Sequence, residues 1–578
     1  MSSAGLLGTA AWSTDPGHWR YEPIAGQGPT AGGRFLLLGE NPSLLGFMHV
    51  RAPRQHVLSI AQTRSGKGVS LIIPNLLTYL GSVLVVDPKG ENAWVTAARR
   101  RALGQKVVIL DPWGEVNRRY GSIAGVSESV ARFNPLSILD PDSDDYADNL
   151  AYLADSIIIT QGSRDPHWDD SARELVAGLM AFVVESPQYR AEASLGLVRE
   201  LLSLPGPELR VAIKETQALG EGSLARRKLV RFDSDSTETG SIMSTARTQT
   251  TFLDSDVLTR NMDESDFSFE ELCGGNVSVY LVLPPDKLHT YARWLRLMVS
   301  SAIRAVARGG SQGALPALFM LDEFGTIGKL DAVAQAYGLM AGLGMIMWVF
   351  VQDLNQLKRD YPDHWETFIG NSQAVTCFGV GDNFTADYIS KMLGTQTIEH
   401  TQVSTTHGTS VGPPQMNAPI WASRTSHQTS TSYSTQVMSR ALLNPDEVRG
   451  LGGEFCIIMG GFPPILCQRI VYHADWDLLH WARPDPHHPR TEDVRWWALQ
   501  RRLREMGSVA RLLKEYGFEV KKLRRGRYEV KLVEGTWTHT FADANDLWRW
   551  TYVAVMDYAD STLSLPSGPV PALPNGSV

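Results

Sequence analysis

A lysine between two glycines follows a short apolar run near the start of the chain. The run at residues 57–61 leads into Gln62–Val69, which reads Gln-Thr-Arg-Ser-Gly-Lys-Gly-Val, and apolar residues at helical spacing come next. Strand, polar loop and helix in this order are the context of a phosphate-binding loop, where backbone N–H groups and a lysine surround the phosphates. The residues predicted to line the nucleotide are Thr63, Arg64, Ser65, Gly66, Lys67, Gly68 and Val69, and Lys67 is also predicted to act in catalysis.

The predicted loop departs from the common pattern GxxxxGK[ST] at two positions. Ala61 stands where the first glycine is usual, and Gly68 stands where a hydroxyl is usual. That hydroxyl normally coordinates Mg²⁺. Ser70 lies two positions further on and, in a helix, on a different face. The alternative interpretation at this point is a glycine-rich turn that binds no ligand.

Two adjacent carboxylates end a second apolar run. Residues 315–321 are followed directly by Asp322 and Glu323. In an ATPase, Asp322 would hold Mg²⁺ through water and Glu323 would polarise the attacking water. A strand that ends in Asp-Glu is common by chance. One that follows a phosphate loop in the same chain indicates ATP hydrolysis, with Asp322 as the metal-binding residue.

An amide ends a third apolar run. Residues 345–351 are followed by Gln352. If this strand lies beside the strand that ends at Asp322, Gln352 would reach the γ-phosphate and report its loss, a catalytic role. The alternative is that Gln352 only caps the helix that follows.

The composition bounds the class of protein. With 578 residues the chain has room for about three domains, and its net charge of −8 excludes a uniformly basic nucleic-acid binder. Its four cysteines lack metal-ligand spacing, which predicts buried, reduced thiols of a cytoplasmic protein. No run reaches the roughly 20 apolar residues that span a bilayer, and the N-terminus lacks the pattern of a signal peptide.

The elements that must position the candidate residues alternate between strand and helix. Apolar runs recur at 57–61, 82–86, 107–110, 276–283, 315–321, 345–351 and 374–380. This alternation predicts an α/β fold with a mainly parallel central sheet and nucleotide at the carboxyl ends of its strands. We expect a discontinuous nucleotide-binding domain at residues 53–139 and 262–482, preceded by a β-rich lead-in at residues 1–52.

Four other segments differ in character. Residues 140–261 carry helical spacing and predict an all-α domain inserted into the sheet. Residues 394–440 are rich in Ser, Thr, Gln and His and predict a mobile loop. Residues 484–560 predict a small α+β accessory domain whose basic face would dock either nucleic acid or protein. Residues 561–578 predict a disordered tail.

Several segments in this order resemble the coupling ATPases of conjugative DNA transfer and type IV secretion. Gly68 is typical of one branch of that family, in which Gly-Lys-Gly replaces Gly-Lys-Ser. The matching segments are GTAAW at 8–12, TRSGKGVSLIIPNLL at 63–77, VLVVDPKGEN at 83–92, DPHWDDSARELVAGLMAF at 165–182, LFMLDEFGTIGKL at 318–330, VFVQDLNQLKRDYPDHWETFIGNSQAV at 349–375, LLNPDEVRGL at 442–451 and GFPPI at 461–465.

The resemblance implies a RecA-like P-loop core with a helical lobe, assembled as a homo-hexameric ring. It implies transfer of relaxase-bound single-stranded DNA or effector proteins into a type IV secretion channel, driven by ATP with Mg²⁺. The chain would work in the cytoplasm at the inner face of the bacterial cell membrane, reached through membrane partners or through an anchor missing from this sequence.

The sequence departs from the family in two places. Relatives usually carry an N-terminal membrane anchor, and some place an arginine shortly before the strand of the sensor glutamine, where residues 341–344 here read Ala-Gly-Leu-Gly. Arg247 and Arg260 are the two arginines considered as replacements. The alternative functions are a nucleotide-binding cargo receptor with little turnover and a generic DNA-pumping ATPase.

Overall fold

The computed structural model describes most of the chain between residues 9 and 547. The described ranges are 9–13, 20–21, 35–41, 46–51, 56–121, 126–159, 167–310, 312–313, 315–339, 342–411, 425–461, 463–473, 476–483, 509–515, 518–523, 527–533, 538–541 and 547. The predicted tail at 561–578 lies outside these ranges.

Seventeen strands form three sheets in the described residues. They are β1 (Arg20–Tyr21), β2 (Phe35–Asn41), β3 (Gly46–Arg51), β4 (His56–Ala61), β5 (Val83–Val86), β6 (Lys106–Leu110), β7 (Val277–Leu281), β8 (Ala317–Leu321), β9 (Met345–Val351), β10 (Ser372–Phe378), β11 (Thr395–Val411), β12 (Thr425–Ala441), β13 (Phe455–Gly460), β14 (Ile465–Gln468), β15 (Phe518–Lys522), β16 (Tyr528–Leu532) and β17 (Thr538–Phe541).

Twelve strands build the central sheet, in the order β1-β3-β2-β14-β13-β10-β4-β9-β8-β5-β7-β6. The strands from β10 to β6 in this order all pair in parallel. The strands from β13 to β1 add an antiparallel extension. The predicted α/β fold with a mainly parallel sheet is therefore confirmed, and the strands of the expected lead-in are part of this same sheet.

Eighteen α-helices connect and cover the strands in the described residues up to Trp481. They are α1 (Ile73–Thr78), α2 (Glu91–Ala102), α3 (Glu115–Tyr120), α4 (Tyr146–Ile157), α5 (His167–Glu185), α6 (Leu195–Ser203), α7 (Gly206–Glu215), α8 (Leu224–Leu229), α9 (Thr237–Gln249), α10 (Asp256–Asn261), α11 (Leu288–Gly309), α12 (Phe324–Ile327), α13 (Asp331–Leu339), α14 (Leu354–Asp360), α15 (Trp365–Gly370), α16 (Asn383–Leu393), α17 (Pro445–Arg449) and α18 (Trp476–Trp481).

The described residues from α4 to α10 form helices and the turns that join them, with no strand, as the sequence pattern predicts. Several of its helices begin at serines whose side chains accept a hydrogen bond from the first turn. Ser194 does so for α6, Ser223 for α8 and Ser236 for α9. Such N-caps satisfy backbone donors that have no partner inside the helix.

Two strand ends in the parallel sheet share the sequence Asp-Pro-x-Gly. Asp87, after β5, accepts a hydrogen bond at Oδ2 from the backbone of Ala93 at 2.8 Å. Asp111, after β6, accepts from the first two N–H groups of α3, each at 2.9 Å. Gly90 and Gly114 precede the helices with φ of 67° and 64°, a backbone conformation that costs glycine least. Each turn therefore ends a strand and starts a helix.

The central sheet is buried on both faces. Leu58 and Ile60 of β4 belong to one buried cluster and Val57 to the other, since successive side chains of a strand point to opposite faces. The second cluster contains α1 and α2. The first runs from the strands through α11 and α4 into α5, α6, α8 and α9. The helices between residues 146 and 261 thus share one continuous core with the sheet.

The prediction of a mobile loop at residues 394–440 is wrong for the residues that the structure describes. β11 and β12 pair antiparallel over 17 residues each without a shift in register. Low apolar content argued against structure there, but a ladder of backbone hydrogen bonds does not require burial, and Thr-rich segments suit a strand. Residues 412–424, between the strands, lie outside the described residues.

The predicted accessory domain is described in part. β15, β16 and β17 form an antiparallel sheet, and a helix at Val509–Glu515 packs against it. Lys521, Lys522 and Arg527 are exposed there. Residues 484–508 of the predicted domain are not among the described residues. All four cysteines are buried and free, as predicted. None of the described helices combines the length and the apolar character needed to cross a bilayer.

Candidate active site

Three neighbouring parallel strands bring the candidate residues to one edge of the sheet. β9 lies between β4 and β8, with Ile60 opposite Val351 and Leu321 opposite Val349. The phosphate-type loop follows β4, Asp322 follows β8, and Gln352 follows β9. Because parallel strands end at the same edge, the order of strands alone gathers these residues.

Lys67 is the centre of the arrangement. Its Nζ lies 3.9 Å from Oδ1 of Asp322 and 3.9 Å from Oε1 of Glu323, and its side chain is only 7% exposed. Within the described residues, Nζ has no hydrogen-bond partner. A buried ammonium without a hydrogen bond is costly, and phosphate oxygens are the partners it would accept here.

Several residues around the site have a positive φ, a backbone conformation that is unfavourable for residues with a Cβ. Among the described residues, Arg64 and Glu323 are the two non-glycine residues with positive φ, at 63° and 53°. Gly66 has a φ of 93°. Such residues cluster where a site must hold a fixed geometry. Here they turn the loop after β4 and the chain after Asp322.

The missing hydroxyl at Gly68 leaves open space. A Cβ built on Gly68 meets no atom within 4 Å. The helix begins there with one π-turn, Gly68–Ile72, before α1. Ser70 is buried within that turn, and its Oγ has no hydrogen-bond partner among the described residues.

The two carboxylates after β8 differ in environment. Burial raises the pKa of Asp322 to about 6; the charge of Lys67 opposes this rise and that of Glu323 adds to it. Glu323 is more exposed, and its Oε2 accepts a hydrogen bond from Nε2 of Gln352 at 3.1 Å. The cap of α14 is Asp353, whose Oδ1 accepts from the backbone of Gln356. Gln352 is therefore not that helix's cap.

The sequence interpretation missed Asp87 as a neighbour of the site. Its side chain is 1% exposed, and burial raises its pKa to about 7, with smaller contributions from Glu91 and Asp322. Its strand, β5, pairs with β8 in parallel. Lys89, two residues later, also acts on the pKa of Asp322. The recurrence of Asp-Pro-x-Gly after two strands was the available signal.

Arg469, just beyond β14, was missed as well. Its Nη1 donates a hydrogen bond to the carbonyl of Ser65, and its guanidinium lies 5.0 Å from the ring centre of Phe378. A Cβ on Gly66 would come within 3.1 Å of the same guanidinium, and one on Gly379 within 2.9 Å of the Ser65 Cβ. Arg469 and the end of β10 therefore support the phosphate-type loop from outside. No local sequence signal links residues so far apart.

Gln356 joins the segments that carry Glu323 and Gln352. Its Oε1 accepts from the backbone N–H of Gln352 at 3.0 Å. A Cβ built on Gly325 would lie only 2.9 Å from the side-chain amide of Gln356. Glycine at the second residue of α12 therefore lets this helix approach α14.

The structure thus brings Lys67, Asp322, Glu323 and Gln352 together, as the sequence predicts. Their chemical roles stay predictions. Of the two arginines considered as replacements for the family's arginine, Arg247 donates to the carbonyls of Leu202 and Leu204 at 2.6 Å each. Arg260 is exposed, and its Nε donates to Asp256.

The residues of this site fit a nucleoside triphosphate bound with a divalent metal ion. The Lys67 ammonium, which lacks a hydrogen-bond partner, the positive-φ loop and the open space at Gly68 suit phosphate oxygens. Asp322 offers carboxylate oxygens, which Mg²⁺ prefers. Among the described residues, no group of three or more His, Cys, Asp or Glu side chains could hold a metal ion by itself. A metal at this site would therefore need phosphate oxygens as further ligands.

A family model described as type IV secretory system conjugative DNA transfer matches residues 6–503. A conjugal transfer protein TraG of Escherichia coli is 27% identical over 459 residues, which cover 73% of this chain and 68% of TraG. A VirD4 protein of Rhizobium radiobacter is 28% identical over 473 residues, covering 79% of this chain but only 61% of VirD4.

Solved structures share the fold. The bacterial conjugative coupling protein TrwBdeltaN70 superposes with a TM-score of 0.54 at 16% identity, covering 72% of this chain and 85% of that one. The plasmid coupling protein TrwB in complex with ADP and Mg²⁺ gives a TM-score of 0.51, also at 16% identity, covering 72% and 85%. This likeness confirms the predicted RecA-like P-loop architecture.

Proposed function

Since this chain belongs to the type IV secretory system conjugative DNA transfer family, we propose that it is an ATP-dependent coupling protein. It recruits relaxase–DNA complexes, effector proteins or both, and drives them into a type IV secretion channel. The related TraG and VirD4 proteins support the transfer role. The observation that carries the ATP-dependent part is the buried Lys67 ammonium between Asp322 and Glu323.

Each residue of the site has a separate task in this proposal. Lys67 would bind phosphate oxygens, and Asp322 would hold Mg²⁺. Bound Mg²⁺ neutralises phosphate charge. Glu323 accepts the proton of the water that attacks the γ-phosphorus. Gln352 holds Glu323 through the 3.1 Å hydrogen bond and reports whether the γ-phosphate is present.

The working assembly in this proposal is a homo-hexameric ring at the inner face of the bacterial cell membrane. The nucleotide site lies at one edge of the sheet, where a neighbouring copy would complete it. Single-stranded DNA, a relaxase, effector proteins and channel components are the partners. The net charge of −8 makes converging basic groups in a ring a requirement for DNA contact.

The test compares Lys67→Ala with Glu323→Gln in the full chain. Lys67→Ala should lose both nucleotide binding and turnover, because it removes the phosphate-binding charge. Glu323→Gln should bind ATP but hydrolyse it roughly 10²–10⁴-fold more slowly, because the proton acceptor is lost. Lys391→Ala, an exposed lysine on α16, is the matched control.

Turnover is measured with and without single- and double-stranded DNA, at concentrations that allow assembly. Stimulation by DNA supports a translocase, and binding with little turnover would favour a cargo receptor. Undiminished hydrolysis in both variants would refute the site.

A further inference from the structure

The ribbon of β11 and β12 is a sheet of its own. Within the described residues it contains two strands. Links to other segments lie at its base, where Thr9 bridges Gln396, the Ala10 N–H donates to the Thr395 carbonyl at 2.8 Å, and Arg440 pairs with Glu447. Every described side chain from Glu399 to Ser410 and from His427 to Gln436 is exposed. A two-stranded hairpin alone is marginally stable in water. A ribbon this long therefore calls for a partner.

Among the described residues, the outer edges of the ribbon lack most of the usual protection against pairing. Proteins guard such edges with lysines, prolines or bulges. The two strands contain no lysine and no proline, and their register is unbroken over 17 residue pairs. Their backbone donors and acceptors are therefore arranged for addition of another strand.

The charge pattern favours an identical copy as that partner. Between His400 and Ser439 the described residues contain no Asp, Glu, Lys or Arg, although the whole chain has a net charge of −8. Two copies can therefore approach at the ribbon without like-charge repulsion. DNA is a poor candidate for this surface because phosphate contacts need Lys or Arg.

We propose that the ribbons of neighbouring copies pair edge to edge, β11 of one copy with β12 of the next, to form a closed collar. This inference rests on the ring assembly proposed above. In a cyclic ring all ribbons point the same way, so the pairing of β11 with β12 is antiparallel, as it is within each copy. Closure leaves no free edge, which removes the aggregation hazard.

The collar has dimensions that suit a passage. Six copies would give twelve strands and a barrel of roughly 20–25 Å diameter, with each strand about 55 Å long. Its wall would be neutral and rich in hydroxyl and amide groups. Pairing between copies would also bring neighbouring side chains against apolar ones that are exposed in the single copy. Val403 and Tyr433, paired across the strands, are 55% and 71% exposed in the single copy.

The test places lysines on one strand of the ribbon. Thr401 and Thr405 are exposed on β11, so changing both to lysine should leave the fold of a single copy intact. Thr401→Val together with Thr405→Val keeps the β-branched shape without charge and is the matched control. Assembly is followed by sedimentation against protein concentration, with Mg²⁺ and a non-hydrolysable ATP analogue.

We expect the wild type and the valine variant to assemble alike, and the lysine variant to need at least about tenfold more protein, because lysines on an edge strand oppose pairing and the lysines of all copies would converge in one collar. Replacing residues 396–440 by a short Gly-Ser linker should act like the lysine variant. The linker is feasible because Leu442 N lies 2.9 Å from Gly394 O. Hydrogen exchange should slow on assembly for the roughly half of ribbon amides that face outward.

Equal assembly of the wild type and the lysine variant would overturn the proposal, as would a wild type that never assembles. Normal assembly of the lysine variant with lost transfer of cargo would assign the ribbon to another protein and also overturn it. Nucleotide binding and turnover are measured on the same samples. A wild type that assembles through the ribbon but neither binds nor hydrolyses nucleotide would refute the ATPase function while supporting the collar.

Discussion

Gln352 donates a hydrogen bond from Nε2 to Oε2 of Glu323 across 3.1 Å. Gln352 follows β9 and Glu323 lies two residues beyond β8, and these strands are neighbours in the sheet. The bond joins the expected sensor to the expected proton acceptor. It holds the Glu323 carboxylate at the side of Gln352 while Lys67 lies 3.9 Å from its other oxygen.

Gln352→Ala should separate binding from turnover. Loss of the amide leaves the phosphate-type loop intact, so ATP binding should change by less than about threefold. Turnover should fall roughly 10–100-fold because Glu323 is no longer oriented. Binding and hydrolysis are measured separately, with Gln217→Ala, an exposed position, as control. Wild-type turnover in Gln352→Ala would contradict the sensor role.

The space at Gly68 predicts how the metal site responds to substitution. Gly68→Ser should fold and keep turnover, because its Cβ meets no atom within 4 Å. Because the added hydroxyl can coordinate Mg²⁺, the Mg²⁺ concentration needed for turnover should fall. Gly68→Ala adds the same Cβ without the hydroxyl and should leave the Mg²⁺ dependence unchanged. Asp322→Ala should abolish metal-dependent hydrolysis. A wild-type Mg²⁺ titration in Asp322→Ala would show that the metal is held elsewhere.

Arg469 should act on nucleotide affinity rather than on the chemical step. Arg469→Gln removes its hydrogen bond to the Ser65 carbonyl and the stacking on Phe378. We expect KM to rise about tenfold with kcat within about twofold, and Arg469→Lys to restore part of the affinity. Arg449→Gln, an exposed arginine on α17, is the control. An equal fall in kcat and thermal stability would indicate a purely structural role.

The buried carboxyl of Asp87 should make the nucleotide-free protein less stable as the pH rises. Its pKa is raised by burial to about 7, above its value in the unfolded chain, so its contribution is fully present near pH 4 and is lost as the pH passes about 7. The loss is at most about 4 kcal/mol. Asp322, with its pKa raised to about 6, acts in the same direction.

Thermal unfolding of the full chain between pH 5 and pH 8 checks this. Asp87→Asn should reduce the fall in Tm, whereas Asp363→Asn, at an exposed position, should leave it unchanged. A wild type whose Tm is flat or rises over this range would contradict the assignment.

Local sequence patterns account for the parallel sheet and for the residues at its edge. β9 was expected at residues 345–351 and is found there. Lys67, Asp322, Glu323 and Gln352 were found because each ends or follows a buried strand. The support that Arg469 gives to the loop joins residues more than 400 positions apart, and no period or motif encodes such a contact. The ribbon was missed because apolar content does not reveal a ladder formed by backbone groups.

The continuous core that joins the sheet to the helices between residues 146 and 261 has a mechanical consequence. A joint that bends needs a thin or polar connection, and the described buried side chains run from α11 through α4 into α5 without one. Close-packed interiors are stiff and pass strain on rather than absorb it. In the motor proposed above, a load taken up by these helices would therefore reach the strand ends as a displacement of the whole subunit, which favours a stroke between copies over bending within one copy.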